Sequence, residues 1–121
     1  MKAAAAQLKL FFSGFGLPAY ARENVPDEVT LPYIAYDLAE PRWDQQGNMS
    51  CQVYYPKKNL EDLLGKADEI CSAIGEGLEI TLTNGYLMLY PGHPLQQKMN
   101  DEYTESIYIS LLINGYHQPG E

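Results

Sequence analysis

Apolar positions recur along this chain with two different periods, and the switches between them divide it into elements. Over residues 2–12 the spacing is helical. Ala and Leu dominate there, and Ala4, Leu8, Phe11 and Phe15 fall on one stripe before Gly14 and Gly16 stop the run. The connection to Val29 holds Pro18, Pro26 and a mixed run of charges, which predicts an irregular loop. From about Thr30 to Leu38 the period falls to two. Ile34, Tyr36 and Leu38 share one face, and Tyr33, Ala35 and Asp37 the other. Residues 39–48 read as a polar, acidic hairpin tip, with Pro41, Gly47 and Asn48 as turn residues. A second strand, about Met49 to Tyr55, sets Met49, Cys51, Val53 and Tyr55 against Ser50, Gln52 and Tyr54, and Pro56 ends it.

The helical period then returns. Leu60, Leu63, Leu64, Ala67, Ile70, Cys71 and Ile74 make one broad apolar face. Asn59 is placed as N-cap with Asp62 as a capping-box partner, and Gly75 supplies the stop. Leu78, Ile80 and Leu82 alternate up to Asn84-Gly85, a hairpin signal of the I′ kind. The return strand spans Tyr86 to Tyr90, and Pro91, Gly92 and Pro94 break it into a polar loop reaching about Glu102. In the last strand, Thr104 to Tyr116, Ile107, Ile109, Leu111 and Ile113 oppose Tyr108, Ser110, Leu112 and Asn114. The order α-β-β-α-β-β-β predicts an α+β domain over residues 1–121, a mostly antiparallel sheet of about five strands with two helices packed on it.

Composition narrows what such a domain does. Hydrophobic residues at 45% and charged ones at 20% fit an ordered globular chain. Sixteen acids against eight bases give a net charge of −8, and after Lys66 there are eight acids and one base, Lys98. Nucleic-acid binding by phosphate neutralisation is disfavoured, because it needs clustered Lys and Arg. The surplus acid reads as a solvated surface or as a lumen to which DNA does not adhere. The N-terminal run is broken by Gln7 and Lys9 and lacks a signal-peptide cleavage pattern. No window approaches the roughly 18 apolar residues of a membrane span, so a cytoplasmic site of synthesis is expected. Cys51 and Cys71 suit buried thiols in a reducing compartment; a disulfide is the alternative.

Catalytic chemistry finds no pattern here. His93 sits in a Pro-flanked loop and His117 near the C-terminus, neither with a nucleophile and an orienting group in a motif. Asp27-Glu28 and Asp101-Glu102 lack the ligand spacing of a metal site, and Gly14-Phe15-Gly16 lacks the strand and third glycine of a nucleotide loop. The expectation is therefore no enzyme, no metal and no cofactor. Ten tyrosines, nine of them on or beside strands, fit either half-buried strand packing or contact with a partner. Trp43, the only tryptophan, stands at the polar tip and either folds back on its own sheet or docks into a neighbour.

Four segments together carry a family resemblance: LPYIAYDLAEPRWDQQGNMSCQVYY, NLEDLLGKADEICSAIGEG, GYLMLYPGHPLQQ and IYISLLINGYHQPG. They resemble the tail-terminator proteins of long, non-contractile-tailed phages and prophages of Gram-positive bacteria, over about Thr30 to Gly120. The resemblance implies a small α+β subunit of a homo-oligomeric ring, a hexamer, in the virion at the head–tail junction. Such a ring is assembled in the host cytoplasm, caps the tail tube protein, stops its polymerisation and receives head–tail connector proteins. Genomic DNA passes through its lumen without specific binding, and neither catalysis nor a cofactor nor a membrane is involved. The candidate subunit interface is then the tip: Glu40, Arg42, Trp43, Asp44, Gln45 and Gln46. Alternatives are a head–tail connector or tail-completion protein of the neck, and a small non-viral α+β binding domain.

Overall fold

The period-two segments become one sheet, and the two helical segments cover one of its faces. A computed structural model describes residues 2–37, 46–82 and 85–117. Among the described residues there are two α-helices, α1 (Lys2–Ser13) and α2 (Leu60–Ile74). Six strands accompany them: β1 (Ala19–Ala21), β2 (Tyr33–Tyr36), β3 (Gln46–Pro56), β4 (Leu78–Leu82), β5 (Gly85–Asn100) and β6 (Thr104–His117). Their order across the sheet is β1-β2-β3-β6-β5-β4, parallel between β1 and β2 and antiparallel elsewhere. The class is α+β, a mostly antiparallel sheet with two helices.

Six strands replace the expected five, and the order gains an extra strand after α1. β1 lies inside the segment expected to be loop; three residues are too few for an alternation to be recognised. Ala19 and Ala21 are buried beside Ile34 and Tyr36, and small side chains let the chain come that close. β2 is shorter than expected, since Thr30 to Pro32 stay outside it and Leu38 lies outside the described residues. Gly47 and Asn48, expected in a turn, belong to β3, where long β6 offers them Ile113 and Leu112 as partners. β6 likewise rescues the far half of β5. Pro91, Gly92 and Pro94 do not end that strand: the register with β6 jumps between Pro91 and Gln96, and pairing resumes to Asn100. These residues make a bulge, which is how a strand tolerates Pro and Gly without ending. The β4–β5 hairpin closes at the Leu82–Gly85 pair, and Asn84 lies outside the described residues.

The core sits between the helices and the odd-numbered side chains of β3 and β6. Cys51, Val53, Ile107, Ile109, Leu111 and Ile113 are almost wholly buried there with Leu63, Ala67, Ile70 and Ile74 of α2. Leu60 and Leu64 remain exposed, so the covered stripe of α2 is narrower than its apolar face. Asn59 does not cap with its side chain. Its amide donates backwards to the carbonyls of Pro56 and Lys57, and no capping box forms with Asp62. Gly75 ends α2 at φ 56°, a conformation for which glycine is the least strained residue. On α1 the deep residue is Phe12, stacked on Tyr36 with ring centroids 4.8 Å apart, while Phe11 packs edge-on at the margin. α1 touches both β1 and β4, the outermost strands of the sheet. A flat six-stranded sheet would hold those edges about 24 Å apart. The sheet is therefore curled around its core, with α1 closing the mouth. Lys66 Nζ, hydrogen-bonded to the Phe15 carbonyl and 2.9 Å from Glu69, ties α2 to the end of α1.

Candidate functional site

Helices on one side leave the other side of the sheet to the even-numbered side chains of β3 and β6 and their neighbours. The outward positions of β3 are Gln46, Asn48, Ser50, Gln52 and Tyr54; those of β6 run from Ser106 through Tyr108 and Leu112 to Tyr116. β5 adds Tyr86, Met88 and Tyr90 before its bulge, and Gln97 and Met99 after it. No charged side chain occupies an outward position on these three strands, in a chain of net charge −8. The acids lie elsewhere. Glu61, Asp62, Asp68 and Glu69 are exposed on α2, with Glu76 just beyond it.

Aromatic pairs stiffen this outward face at both ends. Tyr33 of β2 stacks on Tyr54 of β3 at 4.7 Å, and Tyr86 of β5 on Tyr116 of β6 at 4.8 Å. Both are cross-strand neighbours in register, the geometry in which aromatic pairs stabilise a sheet. The Asn114 amide donates to the Tyr116 hydroxyl at 3.1 Å, while its own Oδ1 is buried without a donor among the described residues.

A polar network borders the face. After β1 a 3₁₀ turn (Arg22–Asn24) swings Arg22 over the outside of the sheet. Its Nε donates to Asp37 Oδ1 at 2.7 Å, Nη1 to Gln52 Oε1 at 3.2 Å and Nη2 to Ser50 Oγ at 3.0 Å. Ser50 in turn donates its N–H and hydroxyl to Asp37 Oδ2, and Gln52 Nε2 donates to Ser106 Oγ at 2.8 Å. The guanidinium also lies over the Tyr108 ring, 5.7 Å from its centroid. Desolvation disfavours the Arg22 charge, yet the hydrogen bond and charge of Asp37 outweigh it and hold the group above its ordinary pKa. An isolated exposed ion pair is worth about 0.2–1 kcal/mol. Here the same two side chains also satisfy Ser50 and Gln52, both buried. A double-mutant cycle with Arg22→Ala and Asp37→Ala, read by urea denaturation, is expected to give a coupling of about 1–2 kcal/mol. A coupling within error of zero would reduce the network to surface decoration.

Between this face and the β5 bulge lies an open cleft of about 410 Å³, bordered by Asn48, Gly92, His93, Tyr108, Ser110 and Leu112. A histidine and a serine both border it, but among its described lining residues there is no acid to orient the imidazole for nucleophilic catalysis. Among the described residues no three of His, Cys, Asp and Glu group in a way that could hold a metal ion. Both cysteines are free. Cys51 is wholly buried, and that burial pushes its thiol up to about 12; Cys71 is only half-buried and accepts from Gln96 Nε2 at 3.3 Å. No protein-family model matches the chain, and no curated protein matches it. No described helix is long and apolar enough to cross a membrane.

Of the expected tip residues, Glu40, Arg42, Trp43, Asp44 and Gln45 lie outside the described residues. Gln46 is exposed as the first residue of β3, opposite Asn114, and so lies at one end of the outward face. The Arg22 network escaped sequence reading because Arg22 stands fifteen to thirty residues from its partners. The charge-free face was readable in principle: once Ser50, Gln52 and Tyr54 are assigned outward beside Tyr108, Ser110 and Leu112, the missing charge follows. What the arrangement offers chemically is a stiff, hydrogen-bonding, aromatic surface from which water can be displaced at little electrostatic cost.

Proposed function

We propose that this chain is a structural, non-catalytic virion component of the tail-terminator kind. Copies of it form a ring, a hexamer, that caps the tail tube, stops its polymerisation and presents a surface to the head–tail connector proteins. The ring sits at the head–tail junction, and genomic DNA crosses its lumen without specific binding. Contacts run head to tail between neighbours, which closes a ring when the rotation between them divides a full turn. The contact residues of this reading include Glu40, Arg42, Trp43, Asp44, Gln45 and Gln46.

The observation that carries this reading is the absence of charge from the outward positions of β3, β5 and β6 in so acidic a chain. Interface cores are depleted of charge and enriched in Tyr and Met relative to the rest of a protein surface. A subunit made for assembly needs such a face, whereas a small enzyme needs titratable groups converging in a pocket. The four segments that resemble tail terminators supply the kind of assembly.

The test is to add purified chain to polymerising tail tube protein and follow tube length by electron microscopy. The expected result is tubes that stop growing and carry a ring at one end only. Tubes that grow to the same lengths without a terminal ring would remove the terminator reading. Binding to the connector alone would move the chain to the neck.

A further inference from the structure

We infer that the outward face of β3, β5 and β6 seats a second copy of this chain. The inference deepens the ring reading by naming the partner of that surface, and it rests on electrostatics on the page. Two copies that each carry −8 repel one another, most of all where their acids are presented. The exposed acids of α2 and Glu76 make the helix side such a place. Among the described residues, the charges bordering the outward side include the Arg22–Asp37 pair, which compensates itself, Glu79 on edge strand β4 and Asp101, near Tyr33. It is the side that offers the acidic surface of a neighbouring copy the least repulsion. A strongly basic partner would instead be met by acids, and this face has none to offer on its three long strands.

Size and stiffness agree. At about 4.8 Å between strands and 3.3 Å per residue, the three strands cover roughly 650 Å², with Ser50, Gln52 and Ser106 already buried within it, against roughly 600–1,000 Å² per partner in a standard interface. The stacked pairs Tyr33–Tyr54 and Tyr86–Tyr116 are ordered before any partner arrives, so little side-chain freedom is lost on contact. Asn48 and Leu112, cross-strand neighbours, lie between those two ends.

Sedimentation of the full chain, from micromolar to near-millimolar concentration, tests this. The expected result is a species heavier than the 13.6 kDa monomer. Raising salt is expected to tighten it several-fold, because screening weakens the repulsion while the contact itself loses no ion pair. Leu112→Glu is expected to return the monomer with unchanged circular dichroism. Should that variant unfold, cross-linking decides. In a Cys71→Ser background, Asn48→Cys carrying a thiol-attached photoactivatable cross-linker is expected to couple to a second copy, and the same group on Ser72→Cys, exposed on α2, is not. A chain that stays monomeric throughout, an assembly that loosens with salt, or coupling through position 72 alone would overturn the inference. Tube capping that survives in a monomeric Leu112→Glu variant would remove it and leave the terminator reading standing. Assembly through this face with no effect on tubes would do the reverse.

Discussion

Phe12→Ala is expected to lower the unfolding midpoint by roughly 10–20 °C, the largest loss from any side chain of α1. The ring is fully buried and stacks on Tyr36, whose neighbours in register are Ala21 and Cys51. Truncating a buried Phe costs about 3–5 kcal/mol, the transfer of the ring plus the cavity it leaves. Here the cavity lies where α1 closes the curled sheet, and the helix has few other anchors: Ala4 is small, and Leu8 and Phe15 stand one turn or so to either side. A domain of this size has only about 5–15 kcal/mol to lose. Thermal denaturation followed by circular dichroism reads the shift, with Phe11→Ala as the comparison. Phe11 is only partly buried, so its loss is expected to be less than half as large. Equal shifts would mean that the stacking on Tyr36 does not hold α1 in place.

Gly92→Ala and Gly65→Ala are expected to move stability in opposite directions. At Gly92 an added Cβ would lie 2.8 Å from the Ser110 carbonyl carbon and 2.9 Å from its oxygen and Cβ. Those are mainly backbone atoms of central strand β6, which cannot swing aside as a long side chain would. Overpacking of this kind costs about 1–3 kcal/mol, and the bulge between Pro91 and Gln96 would have to open. Gly65 is the contrast. It lies inside α2 with nothing within 4 Å of an added Cβ, so alanine there only restricts the unfolded chain and favours the helix. A gain of about 0.5–1 kcal/mol is expected. Urea titrations of the two variants beside the parent give both signs. A neutral Gly92→Ala would show that the bulge yields, and that the cleft beside it is soft.

The faces of the long strands were legible because a period of two leaves no choice: Cys51 and Val53 inward forces Ser50 and Gln52 outward. The buried stripe of α2 was legible too, at Leu63, Ala67, Ile70 and Ile74. What misled the reading was chemistry that tertiary pairing overrides. Gly47, Asn48, Pro91 and Gly92 are turn formers locally, but a fourteen-residue β6 offers each side of the sheet more partner than those signals can refuse. Phe11 and Phe12 are adjacent, and a stripe drawn through Ala4 and Leu8 passes close to both; only Tyr36 beneath the helix selects Phe12. Asn59 kept the position of a cap and lost its function, since two carbonyls behind it compete for the same amide. Of the candidate interface, the sequence pointed to the tip, whereas the described residues draw attention to the face that the tip adjoins at Gln46.

The placement of α1 against both margins of the sheet carries a consequence for synthesis. α1 touches β1 close behind it, but the mouth it closes is not complete until β4, some seventy residues later, has left the ribosome. β3 in turn waits for β6, the last strand, before its central register can form. Part of what covers α1 is therefore distant in sequence, a topology that folds slowly and exposes apolar surface meanwhile. The nascent chain is expected to bind holdase chaperones through the segment around α1 and to release them only once β4 and β6 have emerged.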